Sequence, residues 1–209
     1  LPDGKILAWG ANTRRDFSGG NFTYASVWDP DSGQFTTVNN PVHSMFCGMP
    51  VLLEDGRVFV AGGDSNSSTS VKRTSTYNYQ TQTWTRIQDM NVGRWYNGIV
   101  ALPNGKVFTA VGQPGSPYPE LWSQNSGWSY LNGASLQSGL LKFPTVTEPI
   151  NWLPHMHLAP NGQVLHSGHG PQMNYIDLEG NGSVVPVSLA NSLDISNTPS
   201  VFVNEGVIM

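Results

Sequence analysis

The 209-residue chain is long enough for one large domain or two small ones, and its 10 Lys+Arg against 14 Asp+Glu give a net charge of -4 with no basic cluster. That balance excludes an electrostatic footprint for nucleic acid or for an anionic membrane surface. No apolar run nears the roughly 18 residues of a membrane span, and neither a span nor a signal peptide is visible.

Charged residues at 11%, beside 23 Gly, 15 Pro and 7 Trp, suit short strands and tight turns. The first such element is LPDGKILAWG at 1–10, an apolar strand on either side of an Asp-Gly turn whose glycine takes positive φ without steric cost. The hairpin returns as LEDGRVFVAGG at 53–63, LPNGKVFTAVG at 102–112, APNGQVLHSG at 159–168 and NEGVIM at 204–209. Its turn glycines, Gly4, Gly56, Gly105, Gly162 and Gly206, are separated by 52, 49, 57 and 44 residues, a mean of (206 − 4)/4 = 50.5. Between hairpins stand aromatic pairs, Trp28 with Phe35, Tyr77 with Trp84 and Trp122 with Trp128, read as the outer two strands of each repeat.

A repeat near 50 residues with four strands predicts an all-β, kelch-type β-propeller of four-stranded antiparallel blades, because a single blade cannot bury both of its faces. A β-sandwich gives no reason for the repeat. The whole of 1–209 reads as one propeller segment of four to five repeats that starts and stops inside hairpins. It is expected to be a partial propeller, the alternative being a closed four-bladed ring.

Cys47 is the single cysteine, so it has no internal disulfide partner. It stands 56 − 47 = 9 residues before its turn glycine, and Tyr96 stands 105 − 96 = 9 before the next one. The two therefore occupy one position in neighbouring repeats. At the start of the innermost strands, side chains at that position are expected to converge near the propeller axis, thiol beside phenol.

Here the sequence resembles a known family. MFCGMP, followed one repeat later by GRWY and LPNGKVF, is similar to the galactose oxidase and glyoxal oxidase family, as are PELW, GWSYLNGAS, MHLAPNGQVLHSG and NYIDLEGNGSV. The resemblance implies a Cys47–Tyr96 thioether, with Tyr96 as copper ligand and radical site. It implies a secreted oxidase that converts a primary alcohol, aldehyde or sugar with O2 to give H2O2. The family's remaining ligands, a later Tyr-His pair and a histidine from a further domain, have no counterpart in these residues. Nor does GQPGSPYPELW supply a clear match to the tryptophan that covers the cross-link in galactose oxidase.

Other features yield rival readings. His155, His157 and His166 lie in PHMHLAPNGQVLHSGH, and a hairpin centred on Asn161-Gly162 sets His157 opposite His166, a geometry open to zinc or copper. His43 is expected to be a hydrogen-bonding group near Cys47. Kelch propellers also serve as carbohydrate- or protein-binding platforms without catalysis. No GxSxG or HExxH motif supports a hydrolase. Asn21-Phe22-Thr23, Asn66-Ser67-Ser68 and Asn181-Gly182-Ser183 are glycosylation sequons and suit a secreted glycoprotein.

Overall fold

The computed structural model describes residues 1–11, 20–65, 70–112, 116–136, 153–168, 172–189, 200–204 and 207–208. They form two compact units, Leu1–Trp95 with Pro103–Gly105, and Tyr96–Leu102 with Lys106–Met209.

In the first unit, β1 (Ile6–Trp9), β2 (Ala25–Trp28) and β3 (Phe35–Thr37) make a three-stranded antiparallel meander. β4 (Met49–Leu52), β5 (Val58–Ala61), β6 (Thr74–Asn78) and β7 (Thr83–Arg86) make a four-stranded one. The second unit has two four-stranded meanders. They are β8 (Gly98–Ala101), β9 (Val107–Ala110), β10 (Glu120–Ser123) and β11 (Gly127–Tyr130), then β12 (His155–Leu158), β13 (Val164–Gly168), β14 (Gln172–Asp177) and β15 (Ser183–Leu189). A last hairpin pairs β16 (Phe202–Asn204) with β17 (Val207–Ile208).

The repeat read from sequence is the repeat of the structure. Gly4, Gly56, Gly105 and Gly162 have φ of 81°, 82°, 68° and 83°, and a strand begins two residues after each, at Ile6, Val58, Val107 and Val164. Gly206 lies outside the described residues. The aromatic pairs are direct cross-strand neighbours on the outer strands, Trp28 opposite Phe35, Tyr77 opposite Trp84 and Trp122 opposite Trp128.

Strands β5 and β9 are buried along their whole length, as VFVA and VFTA predict for strands covered on both faces. Each unit is held by a core that spans successive repeats. In the first, Val27 of β2 joins Val58 and Val60 of β5 and Tyr77 of β6. Trp84 donates its indole N–H to the Val38 carbonyl at 2.6 Å and meets Trp9 edge-on at 6.5 Å, so an outer aromatic does fasten one repeat to the one before it. In the second unit, Val100 and Phe108 pack with Val164 and Ile176. There β8 and β12 lie alongside each other, so closely that a Cβ on Gly98 would fall 2.6 Å from Met156 Cγ.

Candidate functional site

Cys47 is half-buried at the third position of a turn closed by Gly48 N–H donating to the Met45 carbonyl at 2.9 Å. Its φ is 57°, a left-handed conformation that costs a residue with a Cβ roughly 1 kcal/mol or more. Tyr96, also half-buried, has φ 53°, and Leu153 has φ 48°. All three stand nine residues before a turn glycine and two before the first strand of a repeat. One backbone device thus recurs in three repeats.

Within the second unit the device links successive repeats: Leu153 N–H donates to the Tyr96 carbonyl at 2.7 Å. Tyr96 is followed by buried Asn97, whose side-chain amide donates to Thr109 Oγ1 at 2.8 Å, and Thr109 Oγ1 donates in turn to the Gly98 carbonyl at 2.8 Å.

Within the first unit the approaches to both predicted residues meet at one short segment. Gly63 N–H donates to the Arg94 carbonyl at 2.8 Å, and the next amide, Asp64 N–H, donates to the Phe46 carbonyl at 3.0 Å. Phe46 immediately precedes Cys47, and Arg94, fully buried, stands two residues before Tyr96. The contact is close because no side chain intervenes. A Cβ on Gly48 would sit 2.5 Å from the Gly62 carbonyl oxygen, and one on Gly63 would sit 2.2 Å from that of Ser44. The segment before Cys47 is pinned from its other side. Thr23 Oγ1 donates to the His43 carbonyl at 2.7 Å and accepts Met45 N–H at 2.8 Å, while Ser44 Oγ accepts Gly20 N–H at 3.1 Å and donates to the Asp64 carbonyl.

His43 is fully buried, with Nε2 2.8 Å from the Gly62 carbonyl oxygen and Nδ1 2.9 Å from Ser75 Oγ. A carbonyl only accepts, so Nε2 carries the proton and Nδ1 accepts the serine hydroxyl. Burial holds its pKa down, from 6.5 to about 4, against a smaller opposing pull from the Gly62 hydrogen bond. Because the folded value lies below the unfolded one, the native state is fully favoured above pH 6.5 and loses that advantage as pH falls toward 4. The difference amounts to roughly 3 kcal/mol. Urea unfolding at pH 7 and pH 4 is expected to show that loss in the wild type and a smaller one in His43→Gln, which cannot titrate there.

The three histidines of the fourth repeat do not form a metal site. His157 pairs with Leu165, and His166 pairs with Met156, so His157 and His166 point to opposite faces of the sheet. The hairpin is centred on Asn161 rather than between Asn161 and Gly162. Gly162 closes a turn with its N–H on the Ala159 carbonyl and adds one residue, and a one-residue slip reverses the face. His157 Nε2 instead meets Ser200 Oγ at 2.7 Å, and buried His166 meets the Asn174 side chain at 3.2 Å. Burial lowers the pKa of both His155 and His157. Among the described residues no group of three His, Cys, Asp or Glu is arranged to hold a metal.

Tyr96 carries an oxygen donor of the kind found in the N,O sets that Cu(II) takes. By itself it would supply one ligand of such a site.

Sheets of this topology with this turn repeat define a kelch-type propeller segment, and the kelch motif model matches residues 45–91. The chain is similar to galactose oxidase: it is 28% identical over 197 residues to that enzyme from Gibberella zeae strain PH-1, and a second Gibberella zeae galactose oxidase gives the same values. That match covers 87% of this chain and 27% of the relative, so the chain spans little more than a quarter of the length of the curated relatives it matches. Among solved structures it superposes on a fungal alcohol oxidase in complex with copper, one described as showing catalytic diversity among the AA5 family. The TM-score is 0.76 at 26% identity, over 89% of this chain and 39% of that one.

Proposed function

We propose that residues 1–209 are a propeller segment of a secreted copper radical oxidase, in which Cys47 and Tyr96 form a thioether cofactor. The observation that carries the reading is that Cys47 and Tyr96 share one repeat position, while the residues leading to them are tied to consecutive amides, Asp64 to Phe46 and Gly63 to Arg94.

In this reading Tyr96 contributes its phenolate oxygen to the metal and stores one oxidising equivalent on its ring. The thioether from Cys47 donates electron density ortho to that oxygen and spreads the unpaired spin, which lowers the oxidation potential. Copper, when bound, supplies acceptance of the second electron. The net reaction is oxidation of a primary alcohol or aldehyde hydrate by two electrons, with O2 reduced to H2O2. Secretion draws support from Asn21 and Asn181, which are exposed in their sequons; Asn66 lies outside the described residues. No helix among the described residues is long and apolar enough to cross a membrane.

Peroxide release from primary alcohols and glyoxal tests the assignment. The full-length parent with copper is expected to turn over, and residues 1–209 alone, with one metal donor, to show little or no activity. Absence of copper-dependent peroxide from the parent on every primary alcohol and aldehyde tried would contradict it.

A further inference from the structure

We propose that the buried imidazole of His43 is a positioning residue for Cys47, acting through the Gly62 carbonyl to hold the turn that presents the thiol for cross-linking. The inference rests on the reading of Cys47 and Tyr96 as a thioether pair.

Strand β5 ends at Ala61, and Gly62 leaves it with φ 79°. Its N–H still bonds the Arg73 carbonyl at 2.9 Å, while its own carbonyl turns toward His43 Nε2 at 2.8 Å. The same oxygen is the atom against which Gly48 packs, with room for no Cβ at 2.5 Å. Gly62 O is thus held between the imidazole and the residue that follows Cys47. The other ring nitrogen reaches Ser75 on β6, which pairs with Val60 on β5. A sheet-anchored hydroxyl, the imidazole, the Gly62 carbonyl and the Cys47 turn form one line of contacts.

A buried apolar side chain in place of His43 would fill the space but leave the Gly62 carbonyl without its donor. That carbonyl would turn to find another, and Gly48 would move with it. Cross-linking is exacting about such movement: it removes the Cys47 S–H and one ring C–H of Tyr96, forms a C–S bond, and passes two electrons and two protons to O2, giving H2O2. A displacement of about 1 Å can cost a reaction of this kind on the order of a hundredfold in rate.

The test uses the full-length protein prepared without copper, then given copper and air. Formation of the cross-link is followed by the loss of two hydrogen masses and of titratable thiol, beside a urea midpoint for each variant. His43→Leu is expected to cross-link at least about tenfold more slowly. His43→Gln, whose amide can still donate to the Gly62 carbonyl, is expected to recover most of the rate, and Ser75→Ala to lie between. A folded His43→Leu that cross-links at the wild-type rate overturns the proposal, as does a His43→Gln no faster than His43→Leu. Should His43→Leu fail to fold, Ser75→Ala decides, and a wild-type rate there overturns it. If the wild type itself never cross-links, the thioether reading falls and this inference with it, an outcome recognisable because no variant then differs.

Discussion

Tyr96→Phe in the complete, copper-loaded protein is expected to lower kcat/KM for a primary alcohol by about three orders of magnitude or more, a loss of at least roughly 4 kcal/mol of transition-state stabilisation. The substitution deletes one atom, the oxygen that would both hold the metal and carry the stored oxidising equivalent. Cys47→Ser is expected to fall by a similar factor, since the two residues act as one cofactor and such losses are not additive. Both changes also remove the covalent link between residues 47 and 96, so each is expected to lower stability by about 2 to 4 kcal/mol as well. Steady-state peroxide release and equilibrium unfolding on the same preparations separate the two effects. Activity within tenfold of wild type in Tyr96→Phe would remove Tyr96 from the chemistry.

The largest stability effect is expected at Gly63. An added methyl would stand 2.2 Å from the Ser44 carbonyl oxygen at a backbone φ of 133°, where side chains are rarely tolerated. Both neighbours are backbone, so relief requires parting the segment that includes Gly63 and Asp64 from the approach to Cys47, with its hydrogen bonds to Phe46 and Arg94. Gly63→Ala is expected to cost about 3 to 5 kcal/mol. Gly105→Ala is the control, with φ of 68° but nothing within 4 Å of its Cβ, and should cost only about 1 kcal/mol. Urea midpoints give both numbers, and equal costs would mean that close approach is not what Gly63 provides.

These two glycines also mark where the sequence was informative. Gly105 belongs to a turn whose Asn-Gly chemistry announces itself, and the same chemistry placed the described turns at Gly4, Gly56, Gly105 and Gly162 and, through their spacing, the all-β kelch repeat. Gly63 carries no such signal. Its requirement arises from a contact with Ser44, nineteen residues earlier in the chain, and only the double glycine in VFVAGG hinted at it.

The histidines of the fourth repeat show a second limit. Their hairpin was legible, but its register depended on whether the turn glycine counts as a turn residue or an extra one, and that single residue moved His166 to the opposite face. At the candidate site, the equal offsets of Cys47 and Tyr96 were visible in the sequence. The left-handed backbone at both, and at Leu153, was not, because cysteine, tyrosine and leucine are not residues that advertise it.

The most direct test of the account is a peptide map of the full-length protein matured with copper in air. Trypsin places Cys47 in the peptide 16–57 and Tyr96 in the peptide 95–106. The two peptides are expected to run as one species, lighter than their sum by two hydrogen atoms, with no titratable thiol at Cys47. Two separate peptides, with Cys47 alkylated in full, would contradict it.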